Sequence, residues 1–314
     1  MKLTNKLNSL LVAPLAIALF AACSTDDNLA DGGVKGQTLT FLAVNGEADE
    51  AVGSRTIFDH TIGEGEQLDK ITAKWDETND KVVVYGGNNH ENCGDFKVSS
   101  VSTDGKSASL TGKIPTSVTE EGTPMYAYVS NKNIKKFNGG KHLEVDYSSQ
   151  KGTFEDAMAH TLLWAKTTYS ATGDMKFKFL YKTTYLKLTL DFDDANLNGS
   201  ASLLLKGDKI SSVSRINAID NNAADPSKKD NSGGTNYIDD TKGVTIENVT
   251  ITNGKSVVYV ALYPQNVKNV TLKATLTDGT IYNFDISKSK DTEVTLGAGA
   301  MYHITRTGVK EVKQ

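Results

Sequence analysis

The chain has 314 residues, of which 34 are basic and 38 are acidic, and its formal net charge is −4. This acidic balance lacks the basic surface by which proteins bind nucleic acid, so the composition excludes that class of function. Proline and cysteine are scarce, at five and two residues. Abundant Thr, Ser, Val, Asn and Gly favour β-strands joined by polar turns.

Residues 1–22 have the layout of a secretory signal peptide. A short basic start precedes an uncharged apolar run at residues 10–20, and Ala21-Ala22 then lead to Cys23. The run is too short for a stable membrane span. The stretch resembles the lipobox of bacterial lipoproteins, whose cysteine is acylated and becomes the new N-terminus. The alternative is an ordinary signal peptide in which Cys23 is incidental.

The mature chain is predicted to begin with a tether and to hold no internal disulfide. Residues 23–36 are polar, acidic and glycine-containing, which is typical of a flexible linker. With Cys23 lipidated, Cys93 is the one remaining thiol, so burial alone must hold the fold. Acidic neighbours on both sides of Cys93 argue against a nucleophilic cysteine.

Residues 37–45 are rich in β-forming side chains and predict the first strand. A small, acidic, loop-like stretch follows and leads to Arg55 and Thr56. An exposed arginine between such a loop and a strand is an obvious cut site for a trypsin-like protease. The alternative is that Arg55 is an ordinary surface arginine.

The rest of the first half reads as strands and hairpins with one capped turn of helix. Trp75 precedes a polar turn and a compact strand at 81–85, and further strands are predicted at 96–101, 107–112 and 124–130. Asp104-Gly105 between two of them is a hairpin signal. Thr153 is placed to cap a short helix, with Asp156 three residues on. Residues 139–150 read as polar connection, and residues 162–166 as strand.

The second half shows clear strand alternation. Leu186, Leu188 and Leu190 alternate with polar residues inside the β-rich run 175–192, which predicts one wet and one dry face. Strands are also predicted at 201–205, 209–217, 244–252, 255–262, 270–276, 280–286 and 292–307. Residues 220–242 predict a long surface loop or a disordered segment. The whole series predicts meanders and hairpins arranged as two β-sandwiches, with a boundary near residues 167–173.

No catalytic constellation is visible in the sequence, and we predict a non-enzyme with no cofactor and no metal. The five histidines lack the close spacing of a zinc site. Residues 194–199 match the first half of a calcium-binding EF-hand loop, but Leu205 stands where the bidentate Glu is needed, and a plain β-turn explains the same residues. Trp75 and Trp164 are either sugar-stacking platforms or, more commonly for a Trp beside a strand, core residues.

Taken in order along the chain, these features resemble the fimbrillin family of Bacteroidetes, the Mfa-like and FimA-like surface lipoproteins and pilins. The matching residues are Cys23 with its apolar run, Gly53-Ser54-Arg55-Thr56, Lys74-Trp75 with Val84-Tyr85, Phe154-Glu155-Asp156-Ala157-Met158-Ala159, Phe177-Lys178-Phe179, Ala261-Leu262-Tyr263-Pro264-Gln265 and Gly297-Ala298-Gly299-Ala300-Met301-Tyr302. The resemblance implies an all-β chain of two tandem transthyretin-like Greek-key β-sandwich domains, at 37–170 and 171–314. It also implies export to the cell surface as a lipoprotein of the outer membrane, or of a fimbrium after processing.

The resemblance further implies a role as a fimbrial subunit or adhesin that assembles by protease-triggered strand exchange. A protease would cut between Arg55 and Thr56, the strand at 37–45 would leave as an edge piece of its sandwich, and a strand of another fimbrial subunit would fill the groove. Residues 308–314 are short and charged for a donor strand, which favours a tip, anchor or accessory role over a stalk role. Implied partners are other fimbrial subunits, the membrane through the lipid, and a host or bacterial surface ligand. The alternative function is a glycan-binding surface lipoprotein of a polysaccharide-uptake system.

Overall fold

The computed structural model of the protein describes residues 38–45, 57–61, 68–86, 91–114, 118, 120–131, 133–137, 142–171, 175–217, 237–239, 242–287, 291 and 293–312. The predicted signal peptide, the tether, and the sites at Cys23, Arg55 and Thr56 lie outside these residues. So does most of the predicted loop at 220–242.

Nearly all regular secondary structure in the described residues is strand, which confirms the all-β class. The first-half strands are β1 Thr38–Asn45, β2 Ile57–Thr61, β3 Leu68–Lys74, β4 Lys81–Gly86, β5 Glu91–Val101, β6 Ser107–Lys113, β7 Pro124–Ser130, β8 Ile134–Phe137, β9 His142–Asp146, β10 Ser149–Gln150 and β11 Leu163–Thr168. The helix α1, Phe154–Met158, lies between β10 and β11. The later strands are β12 Lys176–Tyr181, β13 Thr184–Asp191, β14 Gly199–Asp208, β15 Val213–Asn217, β16 Tyr237–Asp239, β17 Val244–Ile251, β18 Lys255–Leu262, β19 Asn266–Leu276, β20 Ile281–Asp285, β21 Val294–Thr295, β22 Met301–Thr307 and β23 Val309–Lys310.

Seven of the strands form a sheet that closes on itself, in the order β1-β12-β11-β7-β4-β5-β6. The strand β1 completes this closed sheet, since it pairs with β12 on one side and with β6 on the other. Ala43, Phe96, Phe177 and Phe179 alternate with outward-facing neighbours and are fully buried. Trp75 packs edge-on against Phe179, with ring centroids 5.3 Å apart.

Three further sheets account for the remaining strands. Their orders are β10-β17-β14-β19-β20-β23 with β21 beside β19, then β18-β13-β22-β3-β2, and finally β16-β15-β9-β8. Leu186, Leu188 and Leu190 on β13 are buried as their alternation predicts. Buried side chains of β9, β13, β14, β15, β17, β18, β19, β20 and β22 join those of the closed sheet in one continuous hydrophobic core.

The local signals in the sequence produce the predicted turns. Asp104-Gly105 and Asp278-Gly279 connect the antiparallel pairs β5–β6 and β19–β20. Asn253 and Gly254 both have positive φ, as the favoured two-residue turn requires, and a Cβ on Gly254 would lie 2.2 Å from the carbonyl oxygen of Asp194. The predicted helix cap is confirmed, because the Thr153 hydroxyl accepts a hydrogen bond from the N–H of Asp156 at 3.2 Å.

Other sequence expectations need correction, mostly where distant parts of the chain meet. The stretch taken as polar connection at 139–150 contains β9 and β10. The run 175–192 is divided at residues 182–183 into β12 and β13, which belong to different sheets. Residues 209–212 are a turn and not strand, and Lys209 has a φ of 65°. Meanders and hairpins do not describe the whole fold, because β1–β12, β13–β22 and β10–β17 pair in parallel.

Candidate assembly site at the first strand

The strand β1 is held by backbone pairing along both of its sides. Residues 38–44 pair in antiparallel register with β6, and residues 42–45 pair in parallel register with β12. The N–H of Leu42 also donates to the carbonyl oxygen of Met175 at 3.0 Å. The expectation that this strand is an edge piece is therefore wrong: β1 lies between two neighbours. We call the place between β6 and β12 the β1 slot.

The inner face of β1 contributes to the core of the closed sheet. Ala43 is fully buried and lies opposite Ala108 on β6 and Phe177 on β12. Deeper in the same core, the rings of Phe177 and Phe179 lie 6.1 Å apart. Loss of β1 would expose this apolar surface together with unpaired N–H and C=O groups of β6 and β12, and such a combination binds an incoming strand.

The outer face of β1 is open to solvent and partly polar. Leu42 is 42% exposed. The hydroxyl of Thr40 lies 3.3 Å from that of Thr111 on β6, and Thr111 donates to the Ser99 hydroxyl on β5 at 3.1 Å. A row of hydroxyl groups thus links three neighbouring strands across the outer surface.

One residue of β6 shows how closely the slot is packed. Gly112 pairs with Leu39 of β1. A Cβ built on Gly112 would lie 2.6 Å from the ring of Phe96. This distance is far below van der Waals contact, so only glycine fits here without movement of the Phe96 ring.

The chain has three arginines, and two of them lie within paired strands. Arg215 is on β15, between β9 and β16, where its Nη2 lies 2.7 Å from Oε2 of Glu144. Arg306 is on β22, where its Nε donates to the carbonyl oxygen of Asp285 at 2.9 Å. Proteases bind extended, unpaired backbone, so the fold protects both peptide bonds that follow these arginines. The third arginine is Arg55.

The tryptophans do not form a sugar-binding platform. Trp75 and Trp164 are only 3% and 2% exposed. Trp164 lies beside Tyr126, with ring centroids 6.2 Å apart, and the Lys182 ammonium lies 5.3 Å from the Trp164 ring. Both residues belong to the core, which was the commoner of the two interpretations of the sequence.

The stretch that partly matches a calcium-binding loop is a hydrogen-bonded turn. The Asp194 carboxylate accepts the N–H of Asn196 at 3.0 Å, and the Asn198 side-chain oxygen accepts the N–H of Asn253 at 3.0 Å. Two of the three side chains that would bind a cation thus accept hydrogen bonds from backbone N–H groups. In the described part of the chain, no three His, Cys, Asp or Glu side chains are grouped so as to hold a metal ion. In the same residues, no helix has the length and apolar character needed to span a bilayer.

A solved structure from Bacteroides has the same fold. A putative cell adhesion protein from Bacteroides uniformis matches with a TM-score of 0.50 and 16% identity, over 87% of this chain and 97% of that one. The protein has the fold of that Bacteroides structure. The resemblance found in the sequence motifs is thereby confirmed at the level of the fold.

Two further structures match with lower scores. A putative cell adhesion protein from Bacteroides ovatus has a TM-score of 0.45 and 14% identity, over 76% of this chain and 87% of that one. A fimbrial assembly protein from Parabacteroides distasonis has a TM-score of 0.36 and 12% identity, over 86% of this chain and 90% of that one. No protein-family model and no curated protein matches the chain.

Proposed function

We propose that the protein is a cell-surface fimbrial subunit or fimbrillin-like adhesin. The observation that carries the proposal is the position of β1, an N-terminal strand that completes a closed sheet between β6 and β12. A segment at the start of the chain can be separated by one cut, and its place can be taken by a strand of another subunit. The name of the Bacteroides uniformis protein of the same fold supports an adhesive role.

The proposed assembly begins with proteolysis between Arg55 and Thr56. This cut would separate the lipidated Cys23 and β1 from the remainder of the chain, so release from the outer membrane and opening of the β1 slot would follow from one event. An incoming strand would then restore the backbone hydrogen bonds of β6 and β12 and cover Phe177. The unpaired backbone groups and apolar side chains exposed by the loss of β1 would make the opened form a strong binder of strands and a poor free-standing species.

The finer parts of the proposal follow the same resemblance. They are the lipoprotein anchor, location on the cell surface or in a fimbrium, and two tandem transthyretin-like Greek-key domains at 37–170 and 171–314. At the other end of the described chain, Val309 and Lys310 pair with β20. Residues that are bound into their own sheet cannot also enter a neighbour, which supports a tip, anchor or accessory role.

An arginine-specific protease tests the proposal directly. We expect brief digestion of the folded protein to give one cut, with Thr56 as the new N-terminus, after which the protein takes up a fluorescent peptide with the sequence of residues 38–45. Arg55→Ala should remain intact and should take up no peptide. Arg215→Lys and Arg306→Lys are the matched controls, and neither should change the digestion pattern, because the fold protects both positions.

Two outcomes would count against the proposal. Cleavage first at Arg215 or Arg306 would show that the strands holding them open more readily than the connection behind β1. Clean cleavage at Arg55 that leaves a monomer unable to take up any strand would show that β1 does not leave.

A further inference from the structure

Two lysines of β12 stand beside β1 on the outer surface of the closed sheet. Lys176 is the register partner of Leu42, and Lys178 is the partner of Val44. Both lysines are exposed, whereas Phe177 between them is buried opposite Ala43. Lys176, Lys178 and the side chains of Leu42 and Val44 therefore share the solvent-facing side.

The resident strand gives these lysines no opposite charge. Within the described residues, neither ammonium group forms an ion pair with a carboxylate. On the other side of β1, β6 places Ser109 opposite Leu42 and Ser107 opposite Val44, so no competing cation stands there. Beside Leu42 and Val44, the outer face of the β1 slot is thus positive on the β12 side and neutral on the β6 side.

The inner face of the slot imposes a second requirement, which concerns size. The Ala43 side chain has no exposed surface, and its register partners Ala108 and Phe177 are themselves buried. A larger side chain at this position would displace the Phe177 ring or the backbone of β6.

We propose that the β1 slot selects a strand of a second polypeptide with carboxylates at the positions of Leu42 and Val44 and a small side chain at the position of Ala43. This inference rests on the proposed function, because it describes the occupant that replaces β1. A cross-strand pair of opposite charges strengthens pairing about 1.4- to fivefold. Two such pairs give the incoming strand an advantage of about tenfold over a neutral one.

Synthetic peptides with the sequence of residues 38–45 test this selection on protein cleaved after Arg55. The set carries Leu42→Glu with Val44→Glu, the same two positions changed to Gln, and the same two changed to Lys. In fluorescence anisotropy we expect the Glu peptide to bind about tenfold more tightly than the Gln peptide, and the Lys peptide to bind most weakly. In protein carrying Lys176→Glu and Lys178→Glu the order should reverse. A Glu peptide that also carries Ala43→Leu should lose binding.

The same substitutions in the intact, uncleaved chain provide a measurement that does not need the slot to open. There we expect the melting temperature to be highest with Glu at positions 42 and 44, lower with Gln and lowest with Lys. In protein that also carries Lys176→Glu and Lys178→Glu, this order should be reversed. Equal binding of the Glu and Lys peptides, or an order unaffected by the reversed lysines, overturns the inference while strand exchange stands. If no peptide binds, strand exchange at β1 is contradicted, and the proposed selection of an incoming strand fails with it.

Discussion

Single side chains complete the backbone hydrogen bonding at the open sides of some described strands. Gln150 is the clearest case: its Nε2 donates to the carbonyl oxygen of Ala261 and its Oε1 accepts the N–H of the same residue, both at 2.8 Å. The amide therefore pairs with β18 as a further strand would. Because Gln150 is buried, both of these bonds are shielded from water and worth more than exposed ones.

We expect Gln150→Met to lower the free energy of unfolding by about 2–4 kcal/mol, because it leaves a buried N–H and a buried C=O of Ala261 unpaired. Methionine keeps the volume of the side chain, so packing changes little. Ser149→Ala, at the exposed neighbouring position, is the control and should be nearly neutral. Urea denaturation measures the free energy of unfolding of both variants. An unchanged value for Gln150→Met would show that water replaces the amide as partner of Ala261.

A second residue links stability to pH. The Asn79 side chain, followed by the backbone N–H groups of Thr78 and Asn79, holds the pKa of Asp76 below its usual value. A folded-state pKa that lies below the unfolded one means that the ionised carboxylate stabilises the fold above the unfolded pKa. This contribution is lost as the pH falls through the folded pKa.

We therefore expect Asp76→Asn to lower the free energy of unfolding by about 0.5–1 kcal/mol at neutral pH, a modest value because Asp76 is partly exposed. The difference from wild type should shrink as the pH falls from neutral through the folded-state pKa of Asp76, because the wild-type carboxyl is then protonated as well. Asn79→Ala, which removes the first of the three donors, should raise the pKa of Asp76 in an NMR titration. A difference that stays constant across this pH range would contradict the assignment.

At the scale of whole elements, sequence patterns predict strands well where alternation and turn chemistry are local. The strand β13 and the hairpins at Asp104-Gly105 and Asp278-Gly279 were predictable for this reason. The division at residues 182–183 was not, because distant hydrogen bonds create it: the N–H of Lys182 donates to the carbonyl oxygen of Leu162, and the Thr183 hydroxyl accepts the N–H of Leu162. The strand β9 has only five residues and lies in a polar stretch. Its alternation is therefore too short for the sequence pattern alone to predict a strand.

The candidate assembly site was predicted only in part. The existence and bounds of β1 follow from its β-forming residues. Its parallel pairing with β12 joins residues that are more than 130 positions apart in sequence, and no local signal reports such a register. The sequence shows Lys176 and Lys178 but not their neighbours. Only the register of β1 with β12 shows that they lie beside Leu42 and Val44.

The tight packing between Gly112 on β6 and the ring of Phe96 on β5 gives a prediction about neighbouring strands. We expect Gly112→Ala to destabilise the protein by about 1–3 kcal/mol, because the added methyl group overlaps the Phe96 ring. Phe96→Leu should relieve the overlap, so the double variant should be more stable than the sum of the two single changes predicts. Ser109→Ala on the same strand is the control. If the effects of the two substitutions on the free energy of unfolding are additive, the Phe96 ring is not what makes Gly112→Ala destabilising.

At the scale of the whole molecule, two strands in the described part of the chain, β18 and β20, are covered on their open side by the protein's own chain. Gln150 and the carbonyl oxygen of Gly152 cover β18. The strand β23 and the Arg306 guanidinium, which donates to the carbonyl oxygens of Asp285 and Ile286, cover β20. Covered edges resist uncontrolled association. The departure of β1 would open the closed sheet and create two new edges, on β6 and on β12, where an incoming strand could pair.

The most direct test of strand exchange is to lock β1 in place. In a Cys93→Ser background, Thr40→Cys with Thr111→Cys joins β1 to β6 by a disulfide at a register pair whose hydroxyls are 3.3 Å apart. Lys273→Cys with Asn283→Cys forms the matched control lock between β19 and β20. Each protein is cleaved with an arginine-specific protease and mixed with a fluorescent peptide of residues 38–45. We predict no peptide uptake by the oxidised β1 lock, recovery on reduction, and normal uptake by the control lock. Equal uptake by the oxidised β1 lock and the control would contradict exchange at β1.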